Sequence, residues 1–245
     1  MDLTVDDFGK LDAQQLEAIV SRNKEALRLA RIGLSRECRV TAEYSSTWFS
    51  RHTQELLVPR RLAFAFTAEG RLAELENRPA EALRSYLDAI QLGQAASRGG
   101  VIIDRLVGMA CETIGQKPLA QLLPKLAASD CRAALKALTT IDANTEPATL
   151  VLEHDRTWAR RSYGWREQLG SMFQLKTRQQ LAQSFLKKVQ GEQQQTRLLL
   201  IDIAVRAYEL EKGKRPVTLN DLVPEYLKAI PQDPGTGSNL VYRLN

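Results

Sequence analysis

Residues 66–89 read FTAEGRLAELENRPAEALRSYLDA, and an apolar pattern of helical period lies on each side of the turn residues Asn77, Arg78 and Pro79. Apolar side chains that recur at spacings of three and four form one face of an α-helix. Pro79 suits the first turn of a helix, where its missing N–H removes no hydrogen bond. We therefore predict a helix over 53–76 and another over 80–96. Pro59 either kinks the first helix or marks its start.

Similar patterns predict helices along most of the chain. Asp12 is placed to cap a helix that ends near residue 35, with Gln15 completing a capping box. Further helices are expected at 101–114, 118–127, 130–138 and 192–212, where Gly115 and Gly213 would end two of them. Residues 147–190 form a polar helical stretch with interruptions at Gly164 and Gly170. Residues 37–50 lack a helical period and are expected to form a connection, and residues 239–243 alternate like a short strand.

The expected fold is mainly α, a helical-hairpin array with a small C-terminal α+β tail. Short helices with short connections favour antiparallel neighbours. We divide the chain into a helical-hairpin domain, 1–145, and a region of long helices with the tail, 146–245. The two regions could also form one continuous domain.

Small and aromatic residues occupy specific positions in residues 66–89. They are Phe66, Gly70 and Ala73 on the first predicted helix and Ala82, Tyr86 and Ala89 on the second. This arrangement resembles one tetratricopeptide repeat, in which small residues let two helices approach closely. The next 34 residues do not repeat it, since Asp104 stands where a second glycine would be. The resemblance implies degenerate tetratricopeptide-like hairpins.

Residues 204–244 carry a second set of features, which begins in an amphipathic helix and continues beyond its end. They are Tyr208, Gly213, Pro216, Leu222, Tyr226, Leu227, Pro231, Asp233, Pro234 and Tyr242. This segment resembles the globular end of the major pseudopilins of type II secretion, and a tail found on uncharacterised helical proteins of planctomycete-type bacteria. The long apolar N-terminal helix of pseudopilins has no counterpart here. The resemblance therefore implies a local fold, and neither a filament nor a calcium site.

Composition excludes several classes of protein. The apolar fraction of 44% is ordinary for a chain with a buried core, and the net charge of +5 is mild. We expect no membrane span, because no apolar run approaches about 18 residues. The N-terminus lacks the pattern of a signal peptide. We expect a soluble protein that is cytoplasmic, or periplasmic if an N-terminal anchor has been removed.

Residues that support catalysis or metal binding are sparse. The three cysteines lack CxxC spacing, although Cys131 could pair with Cys38 or Cys111. His52 and His154 have no metal-spaced partner, and we predict no catalytic residue, metal site or cofactor. Catalysis through either histidine stays open, because the members of a triad meet only in the fold. The turn at residues 97–100 could hold an anion on backbone N–H groups, but a tight inter-helix turn is favoured.

Arginine and aromatic residues are concentrated in one short segment. They are Arg156, Trp158, Arg160, Arg161, Tyr163, Trp165 and Arg166. Three interpretations are open: tryptophans in the core with solvated arginines, a protein interface, or a nucleic-acid surface. The leading hypothesis for function is a non-catalytic helical scaffold or adaptor that binds a protein or peptide. The alternatives are an envelope or secretion-system component, suggested by the tail, and a nucleic-acid binder, which is the least favoured.

Overall fold

The computed structural model of the protein describes residues 10–171 and 175–240, without the side chains of residue 46 and residues 164–178. Its helices are α1 (Ala13–Leu34), α2 (Ser46–Glu55), α3 (Leu57–Leu75), α4 (Pro79–Ser97), α5 (Ile102–Leu122), α6 (Ala128–Ala143), α7 (Ala148–Ser171) and α8 (Leu175–Lys212). Short 3-10 turns lie at Leu123–Lys125 and Leu219–Leu222. The prediction of a mainly α fold is confirmed.

Local sequence signals place several helix ends correctly. Asp12 Oδ1 accepts a hydrogen bond from the Gln15 amide at 2.8 Å, and Gln15 Oε1 accepts one from the Asp12 amide at 3.1 Å. Helix α4 begins at Pro79. Helix α8 ends at Lys212, and Gly213 follows with a φ of 68°, a conformation that glycine adopts without steric cost.

The predicted break between 101–114 and 118–127 is wrong, because α5 runs continuously through Gly115 and Pro118. Gly115 is a packing position: a Cβ atom there would lie 2.6 Å from the carbonyl oxygen of Tyr86 in α4. Pro118 has no N–H to offer the carbonyl four residues earlier, that of Ile114. The Thr67 hydroxyl of α3 donates to this carbonyl at 3.3 Å. A neighbouring helix therefore replaces the hydrogen bond that the proline removes.

Other boundaries also differ from the prediction. Part of the expected connection 37–50 is helical, because the Ser45 hydroxyl accepts from the Trp48 amide at 3.2 Å and caps α2. Pro59 lies in the first turn of α3, so the predicted helix 53–76 starts at Leu57. Gly164 and Gly170 do not interrupt α7.

Asp130 caps α6 from inside its first turn, where it accepts from the Ala127 amide at 3.3 Å. Helix α6 itself extends to Ala143, beyond the predicted end at residue 138.

Buried side chains hold the helices together in several clusters. The largest joins α4, α5, α6 and α8 to the C-terminal tail, with members on both sides of residue 145, and includes Tyr86, Leu119, Leu138, Ile201 and Leu222. A second cluster, around Leu27, Phe66, Ala89 and Cys111, joins α1, α3, α4 and α5. A small cluster of Trp48, Val101 and Trp158 brings α2 and α7 to the start of α5. This last cluster positions the candidate site.

The tail that follows α8 is held by Arg132 of α6. Its guanidinium lies 4.1 Å from the centre of the Tyr226 ring and donates to the Glu225 carbonyl at 2.6 Å. One antiparallel bridge joins Gln232 and Asn239, and no strand is present in the described residues. The remainder of the predicted strand, residues 241–243, lies outside the described residues.

The three thiols are free, so the disulfide between Cys131 and Cys38 or Cys111 is not formed. Burial raises the pKa of Cys111 to about 12 and that of Cys131 to about 11. These two behave as small apolar core residues. Among the helices of the described residues, none combines the length and apolarity that crossing a bilayer requires.

Candidate interaction surface

Trp158 of α7 lies in the core. Its side chain is 6% exposed, and its indole nitrogen donates to the Glu43 carbonyl at 2.9 Å. The ring of Trp48 from α2 lies 5.5 Å away between centroids. Trp158 is therefore a core residue, which is one of the three interpretations of this segment. It joins α7 to the segment that contains α2.

Two partly exposed aromatic rings contact this buried tryptophan, and a third, that of Tyr44, contacts Arg161 of α7. Phe49 and Tyr163 lie 5.4 and 5.6 Å from Trp158 between ring centroids, and they are 36% and 42% exposed. Tyr44 is 50% exposed, and the Arg161 guanidinium lies 4.7 Å from its ring centre, in range for a cation–π interaction. We call Tyr44, Phe49 and Tyr163, with Arg156, Arg160 and Arg161, the aromatic–arginine surface.

The arginines of the predicted segment separate into two positions on α7. Arg161 turns toward Tyr44, on the side of the helix that contacts α2. Arg156 and Arg160 are exposed and lie roughly opposite Trp158, but at seven and three residues before Tyr163 they share its face of the helix, which joins them to the surface. Neither forms an ion pair with a side chain that the structure describes. The side chains of Trp165 and Arg166 lie outside the described residues.

A histidine and a buried aspartate meet beneath the surface. His52 Nε2 lies 2.6 Å from Asp104 Oδ1, and the His52 ring stacks on Trp48 at 4.3 Å with 13° between the planes. The second Asp104 oxygen accepts from the Val101 amide at 2.8 Å, so this carboxylate also caps α5. A histidine and a carboxylate are two of the three members of a catalytic triad, but His52 Nδ1 faces the Glu55 carboxylate at 3.8 Å, and a carboxylate does not serve as the serine or cysteine of a triad. The pair clamps α2 onto α5.

Three consecutive titratable residues of α7, Glu153, His154 and Asp155, do not converge on one site. Glu153 is exposed, whereas Asp155 Oδ1 accepts from the Ile102 amide of α5 at 3.4 Å. Successive residues of a helix point in different directions, which keeps these side chains apart. In the described part of the chain, no group of three or more His, Cys, Asp or Glu side chains is arranged to hold a metal ion.

The turn at residues 97–100 uses its backbone donors within the protein. The Gly99 amide donates to Glu146 Oε2 at 3.0 Å, and the Gly100 amide donates to the Ser97 carbonyl at 3.2 Å. The Val101 amide is already bound to Asp104. Because these N–H groups already donate within the protein, the turn is a tight connection between helices and not an anion site.

Sequence reasoning located the α7 part of the surface but missed the residues from the other side. Tyr44 and Phe49 come from segments more than 50 residues before α7, and the contact between His52 and Asp104, beneath the surface, was not predicted. The one local signal was the four-residue spacing of Trp48 and His52, which puts both on one helical face. In comparisons with known proteins, no family model matches the chain, and no significant match was found among curated proteins or solved structures.

Proposed function

We propose that this protein is a non-catalytic helical scaffold that binds an acidic, partly apolar peptide segment of a partner protein on the aromatic–arginine surface. The observation that carries the proposal is the exposure of Phe49 and Tyr163 against a buried tryptophan, with the exposed Tyr44 ring beside Arg161. Aromatic residues and arginine are the side chains that most often anchor protein interfaces.

The surface is held in place before any partner arrives. Trp158 contacts the rings of Phe49 and Tyr163 and is itself fixed by Trp48 and by its hydrogen bond to Glu43. Side chains that are already ordered lose little conformational entropy on binding. This support favours a binding surface over a set of freely solvated side chains.

The charge of the surface favours an acidic partner. Arg156 and Arg160 are exposed, and Arg161 lies over an exposed tyrosine ring. Complementary charge directs association and selects against positively charged partners. Nucleic acid shares this charge, and the experiment below distinguishes it.

We further propose that α3 and α4 of this scaffold pair like the helices of a tetratricopeptide repeat, and the contacts between them support this. A Cβ atom at Gly70 would lie 2.4 Å from the Tyr86 ring, so the two helices approach where the repeat requires a small residue. The Tyr86 hydroxyl donates to Glu74 Oε1 at 2.5 Å. Paired helices of this kind provide rigid platforms on which a partner segment can lie.

The test measures binding of a fluorescent peptide that alternates glutamate with phenylalanine and leucine, by anisotropy at physiological salt. The double variant Arg156→Glu/Arg160→Glu should weaken binding by about tenfold or more, because like charges then face each other. The control Arg22→Glu/Lys24→Glu makes the same change in net charge at exposed positions of α1, a helix that packs against α3 and α4. It should bind the peptide as the wild type does.

Several outcomes would contradict the proposal. Equal weakening in both double variants would mean that binding follows net charge and not this surface. Unchanged binding after Phe49→Ser/Tyr163→Ser would remove the aromatic residues from the interaction. A single-stranded oligonucleotide that displaces the peptide, with affinity that falls steeply as salt rises, would replace the peptide partner with nucleic acid. Absence of peptide binding would refute the proposal.

A further inference from the structure

Two buried carboxylates share one guanidinium between α5 and α8. Arg105 is 2% exposed, and its Nη1 lies 2.5 Å from Glu112 Oε1 on the same helix. Its Nη2 lies 3.0 Å from Glu192 Oε2 on α8 and 3.3 Å from the second Glu112 oxygen. Both glutamates are buried. We call Arg105, Glu112 and Glu192 the buried ionic cluster.

Neighbouring polar groups donate more hydrogen bonds to the Glu192 carboxylate than to that of Glu112. Glu192 Oε1 accepts from Gln116 Nε2 at 3.2 Å and from the Thr196 hydroxyl at 2.9 Å. Among the described side chains, Glu112 has no comparable neutral donor, and it packs against the Gly93 position of α4. Hydrogen bonds to an ionised carboxylate stabilise the charge, so they favour ionised Glu192 over ionised Glu112.

The cluster carries more negative than positive charge. Arg105 is the cation that contacts these two carboxylates within the described residues. Farther away, Glu146 adds negative charge, and Asp142 is matched by Arg197 at 3.4 Å. The neighbouring thiol of Cys111 is neutral, since burial raises its pKa. A buried group with a net charge of −1 is costly, because the interior solvates an unpaired charge poorly.

We propose that the folded protein binds one proton in this cluster at neutral pH, on Glu112, and that the proton stabilises the packing of α8 on α5. With the proton present, one guanidinium faces one carboxylate and one carboxylic acid. The site is then electrically neutral. Loss of the proton leaves two buried carboxylates facing each other across the interface of the two helices.

The direction of the Glu112 pKa agrees with this charge count. Burial and the nearby Glu192 carboxylate raise its pKa from 4.5 to about 8, against the opposing effect of Arg105. The folded state therefore holds the proton more tightly than the unfolded chain does. The stabilisation is fully present below about pH 4.5 and is lost as pH rises toward 8.

The experiment compares the wild type with Glu112→Gln, which mimics the protonated side chain. Urea unfolding is followed from pH 5 to pH 9, and proton uptake is measured on refolding in weak buffer at pH 7. The unfolding constant of the wild type, relative to the variant, should rise by up to about tenfold per pH unit between roughly pH 5 and pH 8. The wild type should take up about one more proton than the variant.

A matched control is Glu17→Gln on the exposed face of α1, which should keep the wild-type pH dependence. If Glu112→Gln keeps the wild-type slope and proton uptake, the proposal is overturned. Should that variant fail to fold, carbon NMR of the glutamate carboxyls in the wild-type protein decides. One carboxyl should titrate near pH 8, and titration of all of them below about pH 6 would overturn the proposal.

Discussion

Replacing Gly108 with alanine should force α4 and α5 apart. The two helices meet glycine to glycine: a Cβ at Gly108 would lie 2.5 Å from the Gly93 carbonyl oxygen and 2.7 Å from the Ser97 hydroxyl. A Cβ at Gly93 would lie 2.3 Å from the Gly108 carbonyl oxygen. A backbone oxygen inside a helix cannot rotate away, so the helices themselves have to separate, by about 1 Å, to restore ordinary contact.

The size of the effect follows from two opposing contributions. Alanine favours a helix interior over glycine by about 1 kcal/mol. Overpacking a buried contact costs typically about 1–3 kcal/mol, and more when backbone has to move. Because separation also loosens contacts of Tyr86 and Ile90 with α5, we expect a net loss of about 2 kcal/mol in the free energy of unfolding.

The control for this prediction is Gly191→Ala in α8. No atom lies within 4 Å of a Cβ built there, so alanine contributes its helix preference alone. We expect a gain of about 0.5–1 kcal/mol. Both variants are measured by urea unfolding, followed by circular dichroism at 222 nm. A Gly108→Ala variant as stable as the wild type would show that the close approach of α4 and α5 is not as described.

Two further predictions concern buried groups. Thr67→Val leaves the Ile114 carbonyl without its donor and should cost about 1–2 kcal/mol, measured by urea unfolding. The same change in a Pro118→Ala background should cost less, because alanine restores the helical N–H; equal costs would disprove the compensation. Burial raises the pKa of Cys111 to about 12, so at pH 8 a disulfide reagent should modify the half-buried Cys38 far faster, as mass spectrometry of digests would reveal. Rapid labelling of Cys111 would mean that its site opens readily.

The candidate surface was only partly visible in the sequence. Clustering of arginine and tryptophan along one segment identified Trp158 and the arginines of α7. The same criterion missed Tyr44 and Phe49, because they reach the surface only when α2 packs against α7. The sequence analysis considered Asp104 only as the residue that replaces a glycine in a second repeat. Nothing in the neighbouring sequence indicated that its carboxylate contacts His52, 52 residues earlier.

The helix content could be predicted from side-chain periodicity. An apolar stripe along a segment is enough to predict a helix whose apolar face packs against a neighbouring helix. Capping at Asp12 and termination at Gly213 were also correct, because these signals act within one turn of the chain.

Gly115 and Pro118 were misjudged for the opposite reason. Glycine and proline usually weaken or end a helix when only local hydrogen bonds are considered. Here the approach of α4 requires the glycine, and a hydroxyl on α3 satisfies the carbonyl that the proline leaves without a donor. Contacts between residues far apart along the chain settled these positions, as they settled the pairing of Arg105 with Glu192, because neither partner carries any signal of the other until the helices pack.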